Sequence, residues 1–231
     1  MVISAQPVPW WAMVSAVVAP IALIGGWTIA AAVQPAGFDS ASETISALAA
    51  IDTPDRWIMT VAIAITGVCH MCTAAGLREA DRSGRVVFAL AGLSTLLVAF
   101  FPLPAIDGTS VAHGVTAAGS FIGLAVWPAL ARNRRARNHA LRGPIPALAT
   151  AVLGVLVLAF FAASTTQAAG VGTLERVAAG AEALWPLLVV LAGVAPPRAV
   201  TQSPPIVAGS PEPLAGSREN VRDHGSQGGH Q

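Results

Sequence analysis

Six long, predominantly apolar stretches constrain this chain more than any other feature of its sequence. Each is close to the ~20 residues that a helix needs to cross a hydrocarbon layer ~30 Å thick. They run over Met13–Val33, Trp57–Leu77, Val86–Leu103, Val111–Ala131, Ile145–Ala163 and Leu174–Val194. Because backbone polar groups in lipid must pair within their own segment, we interpret all six as helices. The sequence therefore predicts an all-α fold, a polytopic transmembrane bundle of six helices.

The composition agrees with a membrane protein. Hydrophobic residues make up 54% of the chain and charged residues only 11%, whereas a soluble domain needs more charged surface. The formal net charge of +1 offers no clustered basic face, so no nucleic-acid partner is expected. The lipid bilayer is the expected surrounding of the folded domain.

The apolar pattern ends near residue 194. Residues 195–231 are rich in Pro, Gly and Ser, carry mixed charge and lack any apolar period. Such a segment buries too little apolar surface to fold, which predicts a transmembrane domain over residues 1–194 and a disordered cytoplasmic tail over residues 195–231. Near the other end, Ala30–Ala32 would suit signal cleavage, but no Lys or Arg precedes the first stretch, which is also too long for a signal core.

Arginines concentrate in two of the five loops between the stretches. The second loop carries three of them between Arg78 and Arg85, and the fourth carries five between Arg132 and Arg142. Because basic residues accumulate on the cytoplasmic side of short loops, both loops are predicted to be cytoplasmic. An even number of spans then places both termini inside, in a multi-pass protein of the plasma membrane. Binding of anionic lipid headgroups is a second use that the same arginines would suit.

The first loop predicts a short helix on the outer surface. Ser40–Glu43 has the spacing of a capping box, and Ile45, Leu48 and Ile51 recur on one helical face behind it. An amphipathic segment of this kind lies in the membrane interface. Thr53–Asp55 is then predicted to cap the second transmembrane helix.

Ionisable groups inside a membrane span are costly, so each one is a functional candidate. Glu175 and Glu182 are seven residues apart and share one stripe of the sixth helix, with Glu182 about 10 Å deeper. His113 begins a polar stripe on the fourth helix, at the outer level of the first loop. We therefore predict an outward-facing polar cavity that binds a ligand. Its candidate residues are Asp39, Glu43, His113, Glu175, Arg176 and Glu182.

Each of these residues also has a plainer explanation. Glu175 and Arg176 suit a helix end, where a carboxylate complements the dipole and an arginine extends toward water. Glu182 would be tolerated as a neutral carboxyl bonded to a helix backbone. The Ser, Thr and Gly residues nearby would equally let helices approach each other closely.

No metal or cofactor is expected. His70 lies about 20 Å below the outer surface and His113 about 5 Å, too far apart for the two axial ligands of one haem. Cys69 and Cys72 flank His70, yet a fourth zinc ligand is missing, so we interpret them as packing residues. His70 shares a helical face with Thr66, in a layer nearer the cytoplasm.

Several short motifs, taken in order, resemble a family of bacterial and archaeal membrane proteins known as domain of unknown function 998. Phe38–Asp39 and Glu43–Leu48 are similar to its first outer loop, and Phe101–Pro102 to the end of its third span. His113 resembles the start of its fourth span and Glu175–Arg176 that of its sixth. The resemblance covers the six stretches and leaves the tail out. It implies a six-helix bundle and no assigned activity.

Two classes of function fit these features. The first is a non-enzymatic binding, accessory or permease-like bundle, whose ligand is a lipid, a small molecule or a membrane protein partner. We favour it because no nucleophile and base pair is recognisable. Proton-coupled transport falls in this class and would use Glu182. The alternative is a membrane-embedded hydrolase or transferase at the outer interface, with His113 as general base or metal ligand.

Overall fold

The computed structural model describes residues 8–166 and 168–194, and all regular elements in these ranges are helical. The long helices are α1 (Trp10–Ala32), α2 (Trp57–Gly76), α3 (Arg82–Phe100), α4 (Val111–Leu130), α5 (Ile145–Thr166) and α6 (Val171–Val194). All six are long and apolar enough to cross a membrane. The predicted all-α bundle of six transmembrane helices is therefore confirmed. The predicted disordered tail lies outside the described residues.

The helices form a closed ring. Each packs against the next one in the chain, and α6 packs against α1 to complete the circle. Because short loops join antiparallel neighbours, the loops fall on two opposite faces. We call the face with loops 33–56, 101–110 and 168–170 the acidic face, and the face with loops 77–81 and 131–144 the arginine face.

The outside of the ring is apolar. On α5, Leu148, Val155 and Leu158 are between 65% and 69% exposed although they belong to the residue types most often buried in soluble proteins. Comparable exposed aliphatic side chains occur on all the other long helices. A continuous apolar surface of this kind suits contact with lipid tails.

Small residues let α2 and α3 approach closely. A Cβ atom added to Gly67 would lie 2.6 Å from the Leu96 nitrogen and 2.7 Å from the Gly92 carbonyl oxygen. Packing of backbone against backbone is how transmembrane helices associate when lipid removes the hydrophobic driving force between them.

The loops of the arginine face fold onto the bundle. The Glu79 carboxylate accepts the amides of Arg137 (3.1 Å) and Asn138 (2.9 Å). The Arg85 guanidinium donates to the carbonyls of Ala74 (3.0 Å) and Ala75 (2.9 Å), which the end of α2 leaves without helical partners. This end of the ring is therefore covered by ordered chain.

Asn138 holds the long loop to α6, and its replacement should destabilise the bundle. Its buried side chain donates to the Val189 carbonyl (2.8 Å) and accepts the Ala140 amide (2.9 Å). For Asn138→Ala we expect a loss of about 2 kcal/mol in the free energy of unfolding, from two buried hydrogen bonds. Chemical unfolding in detergent micelles would measure it. The exposed neighbour His139, changed to alanine, is the control, and equal values for both variants would contradict the assignment.

The first loop contains a short helix, but not on the surface. It is one 3₁₀ turn at Ala47–Ala49, and Leu48 within it is completely buried. Ile45 and Leu48 pack into the core of the bundle, where they bury more apolar area than an interfacial position would allow. The Thr44 hydroxyl caps the turn by accepting the Ala47 amide at 3.0 Å, in place of the predicted capping box.

The predicted cap of the second helix is wrong. The Thr53 hydroxyl donates to the Ala47 carbonyl at 2.7 Å, and α2 begins only at Trp57, without a side-chain cap. Between them, Asp55 has a φ of 52°, in the left-handed region. The chain uses Thr53 to tie the loop to its own 3₁₀ turn, a contact that a local motif cannot reveal.

Candidate functional site

Residues 39–46, which we call the strap, are bound to the first turns of α6. Arg176 Nη1 donates to the carbonyls of Ser40 and Glu43, both at 2.7 Å. The Thr173 amide donates to the Ala41 carbonyl at 3.1 Å. Hydrogen bonds from a charged donor are stronger than those between neutral groups, so the guanidinium is the main anchor of the strap.

Glu175 is the second anchor. Its buried carboxylate accepts the Ile45 amide on one oxygen and the Ser46 hydroxyl on the other, the latter at 3.2 Å. Gly172 lets the two segments touch, since a Cβ there would clash with the Glu43 carbonyl. One turn of α6 thus holds the strap through the Arg176 guanidinium, the Glu175 carboxyl group and a glycine that leaves room for the Glu43 carbonyl.

Asp39 shapes the start of the strap. Its carboxylate accepts the Ala41 amide (3.0 Å) and the Ser42 hydroxyl (2.8 Å). These hydrogen bonds, the Ala41 amide first, hold the pKa of Asp39 below its ordinary value of 3.8. Asp39 is exposed and bonds only within its own loop. Glu43 contributes its backbone carbonyl to the Arg176 contact.

Behind the strap, the ring encloses a cavity of about 60 Å³. Five of the long helices line it, all except α5, together with Ile45 and Ser46 of the strap. Most of the wall is apolar. Its polar members are Ser46, Thr66, His70, Thr95, Ser120, Glu175 and Glu182. The volume leaves room for several water molecules, because one needs about 10–15 Å³.

The hydroxyl groups of this wall are satisfied. Thr66 donates to the Ala62 carbonyl at 2.8 Å, and Thr95 and Ser120 share a hydrogen bond of 2.6 Å. The deeper ionisable groups are not. Glu182 Oε1 and both ring nitrogens of His70 are buried without a partner among the described residues. A buried polar group without a partner costs free energy, and a water molecule or ligand that bonded these side chains would lower that cost.

Glu182 and His70 lie at similar depths, and Glu175 lies nearer the acidic face. Counted along each helix from the acidic face, Glu175 lies about 6 Å deep, Glu182 about 16 Å and His70 about 20 Å. The Phe88 ring packs against His70, with centroids 5.4 Å apart, and stacks at 4.5 Å on Trp127, which lies about 24 Å deep by the same count. The strap therefore covers the cavity at the acidic face, and packed aromatic rings close it toward the arginine face.

His113 stands apart from the cavity. Its Nδ1 lies 2.9 Å from the Phe101 carbonyl oxygen and its amide donates to Ser110, which caps α4. It is not among the residues that line the cavity. Within residues 8–166 and 168–194, no three His, Cys, Asp or Glu side chains are grouped closely enough to hold a metal ion.

The six predicted candidates thus occupy three places. Glu175 and Glu182 line the internal cavity. Asp39 and Glu43 belong to the strap, and Arg176 binds the strap to α6. Glu175 both lines the cavity and bonds the strap. His113 joins α4 to the end of α3.

His70 is the cavity residue that the sequence interpretation set aside. Its predicted depth is about 15 Å greater than that of His113, which excludes the pair as ligands of one haem and says nothing of Glu182. Comparison with Glu182 places the two groups within about 4 Å of the same depth. That count was available from the sequence and would have joined the two residues.

A closed ring of apolar spanning helices around a cavity with a few polar side chains defines a polytopic α-helical membrane protein. Residues 16–192, more than half of the chain, match the family described as protein of unknown function (DUF998). The chain belongs to this family, which confirms the resemblance found in its motifs. No curated protein and no solved structure matches the chain.

Proposed function

We propose that this protein is a permease-like bundle of the plasma membrane that binds a small polar species in the cavity between Glu175 and His70. The main support for the proposal is the composition of the cavity wall. It places seven polar residues inside a ring of helices whose outer surface is apolar. A membrane protein concentrates polar groups away from lipid where a solute or a proton passes.

The arginines support the orientation. The arginine face is proposed to be cytoplasmic, because basic residues in short loops stay on that side. Both termini are then cytoplasmic, and the strap and the acidic face are extracellular. The cavity is proposed to open outward, since its outer cover is the two residues Ile45 and Ser46. Its inner end is blocked by packed core side chains, including Phe88 and Trp127.

The size of the cavity limits the ligand. Pockets for drug-sized molecules usually begin near ~300 Å³, about five times the volume present here. Water, a proton or a small ion fits without rearrangement. The hydrolase or transferase alternative finds no specific support in the contacts of His113.

Cysteine accessibility tests this proposal. In a Cys69→Ser, Cys72→Ser background, the Ser120→Cys variant should react with the small thiol-reactive ion Ag⁺ added outside intact cells. Ile122→Cys is the matched control, because it lies on the same helix at nearly the same depth and is 54% exposed on the lipid side. It should remain unlabelled, since thiols in lipid do not ionise.

Two results would contradict the proposal. One is equal protection of the Ser120→Cys and Ile122→Cys variants, which would leave the cavity closed to water. The other is labelling of an Arg134→Cys variant by an impermeant reagent from outside, which would invert the orientation.

A further inference from the structure

We infer that the species bound in the cavity is a proton, relayed between Glu182 and His70 through bound water. This inference rests on the proposed function and deepens it. It starts from two side chains on different helices, α6 and α2, that are 2% and 1% exposed and line the same small space.

Their hydrogen-bonding groups are complementary. A neutral carboxyl group carries one O–H donor and retains acceptor capacity, and a neutral imidazole has one N–H donor and one acceptor nitrogen. Glu182 Oε1 and both His70 nitrogens have no partner among the described side chains and backbone groups. Several water molecules in the cavity would satisfy these three atoms, one of them between the two side chains, and the cavity volume of about 60 Å³ accommodates them.

The relay is balanced in atoms and charge. The proton leaves the Glu182 carboxyl oxygen for a bridging water molecule, while that water gives another proton to the free nitrogen of His70. A carboxylate and an imidazolium remain, and they attract each other strongly at low dielectric constant. A proton from the outer part of the cavity then restores the carboxyl group, and the His70 imidazolium releases its proton to the cytoplasmic side when the packed rings of Phe88 and Trp127 move apart.

Glu175 supplies the outer part of this path. It lines the same cavity about 10 Å nearer the acidic face, and the Thr95 and Ser120 hydroxyls lie on the wall between. Glu175, Glu182 and His70 are the ionisable groups of the lining; α1, α3, α4 and the strap contribute none. Arg176 is the charged neighbour of Glu175, and it is bound to the strap.

Other occupants fit less well. An anion would face a carboxyl group without any cation in the lining. A divalent metal would find at most two carboxylates and one imidazole, and the side chains are not grouped as a metal site within the described part of the chain. A proton binds to a single carboxyl or imidazole group, so it needs no additional ligands and no larger cavity.

Proton entry into reconstituted vesicles tests the relay. Vesicles containing a pH-sensitive dye would be driven by a potassium diffusion potential with valinomycin. We expect the wild-type protein to admit protons well above the rate of protein-free vesicles. Glu182→Gln and His70→Asn should each reduce that rate at least tenfold, while the exposed loop variant Asp107→Asn should retain it.

Infrared spectroscopy gives a second reading that does not depend on transport. A protonated carboxyl band should be present in the wild-type protein at mildly alkaline pH and absent from Glu182→Gln. Proton entry no faster than in empty vesicles, or unchanged in Glu182→Gln, would overturn the inference, as would a carboxyl band that survives the substitution. If these results occurred while the Ser120→Cys variant was labelled, the proton relay would be wrong and the permease-like function would remain supported.

Discussion

The Gly67→Ala substitution is expected to destabilise the bundle by about 3 kcal/mol. The new methyl group would meet the Leu96 nitrogen at 2.6 Å and the Gly92 carbonyl oxygen at 2.7 Å. Both are backbone atoms of a helix that cannot turn aside as a side chain does, so α2 and α3 must separate along their length. Unfolding by a denaturing detergent, followed by circular dichroism, would measure the loss.

Gly154→Ala is the matched control for this effect. It is the same substitution inside a spanning helix, but no atom lies within 4 Å of the added Cβ. There the higher helix propensity of alanine should stabilise the protein by about 0.5–1 kcal/mol. Opposite signs for the two variants would establish close approach of α2 and α3. Similar values for both would show that the two helices lie farther apart.

The Arg176→Met substitution is expected to cost about 3 kcal/mol and to release the strap. Methionine keeps most of the apolar stem but removes the charge-assisted hydrogen bonds to Ser40, Glu43 and Gly172. Bonds of this type contribute about 1.5–3 kcal/mol each when buried, and the half-exposed position of Arg176 reduces their sum. Hydrogen exchange should show faster exchange of the Ile45 amide, together with a lower midpoint of thermal unfolding.

Arg134→Met separates this effect from the general loss of an interfacial arginine. Arg134 is exposed on the arginine face, so its replacement should leave both stability and Ile45 exchange nearly unchanged. If Arg176→Met matched this control, the strap would not depend on the guanidinium. If Ile45 exchange rose in both variants, the change would reflect loosening of the whole bundle.

Helix positions were predictable because each span has to satisfy its own backbone and cover its length with apolar side chains. Those requirements are local, and α2 and α4 begin at the predicted residues Trp57 and Val111. The position of the first loop could not be predicted in this way. Leu48 has the same local pattern whether it lies on a membrane surface or in a core, and only the neighbouring helices decide which.

The candidate site divides in the same way. Glu175 and Glu182 stood out from sequence because a carboxyl group in an apolar span is costly wherever the other helices lie. Asp39 and Glu43 were predicted to line the same cavity. In the structure the Asp39 side chain bonds within the strap, and Glu43 contributes its backbone carbonyl to the Arg176 contact. Whether Glu43 contributes its carboxylate or its backbone carbonyl depends on how the strap packs against α6.

The sequence by itself determined the six spanning helices of the described residues, their approximate positions and the family, since these follow from apolar length and short motifs that require no knowledge of neighbours. Only the tertiary structure decided that His70 and Glu182 line one cavity and that Arg176 binds the strap instead of a ligand. The sequence does not specify how each helix is rotated about its own axis. Packing of the ring fixes that rotation, and with it which polar side chains share a space.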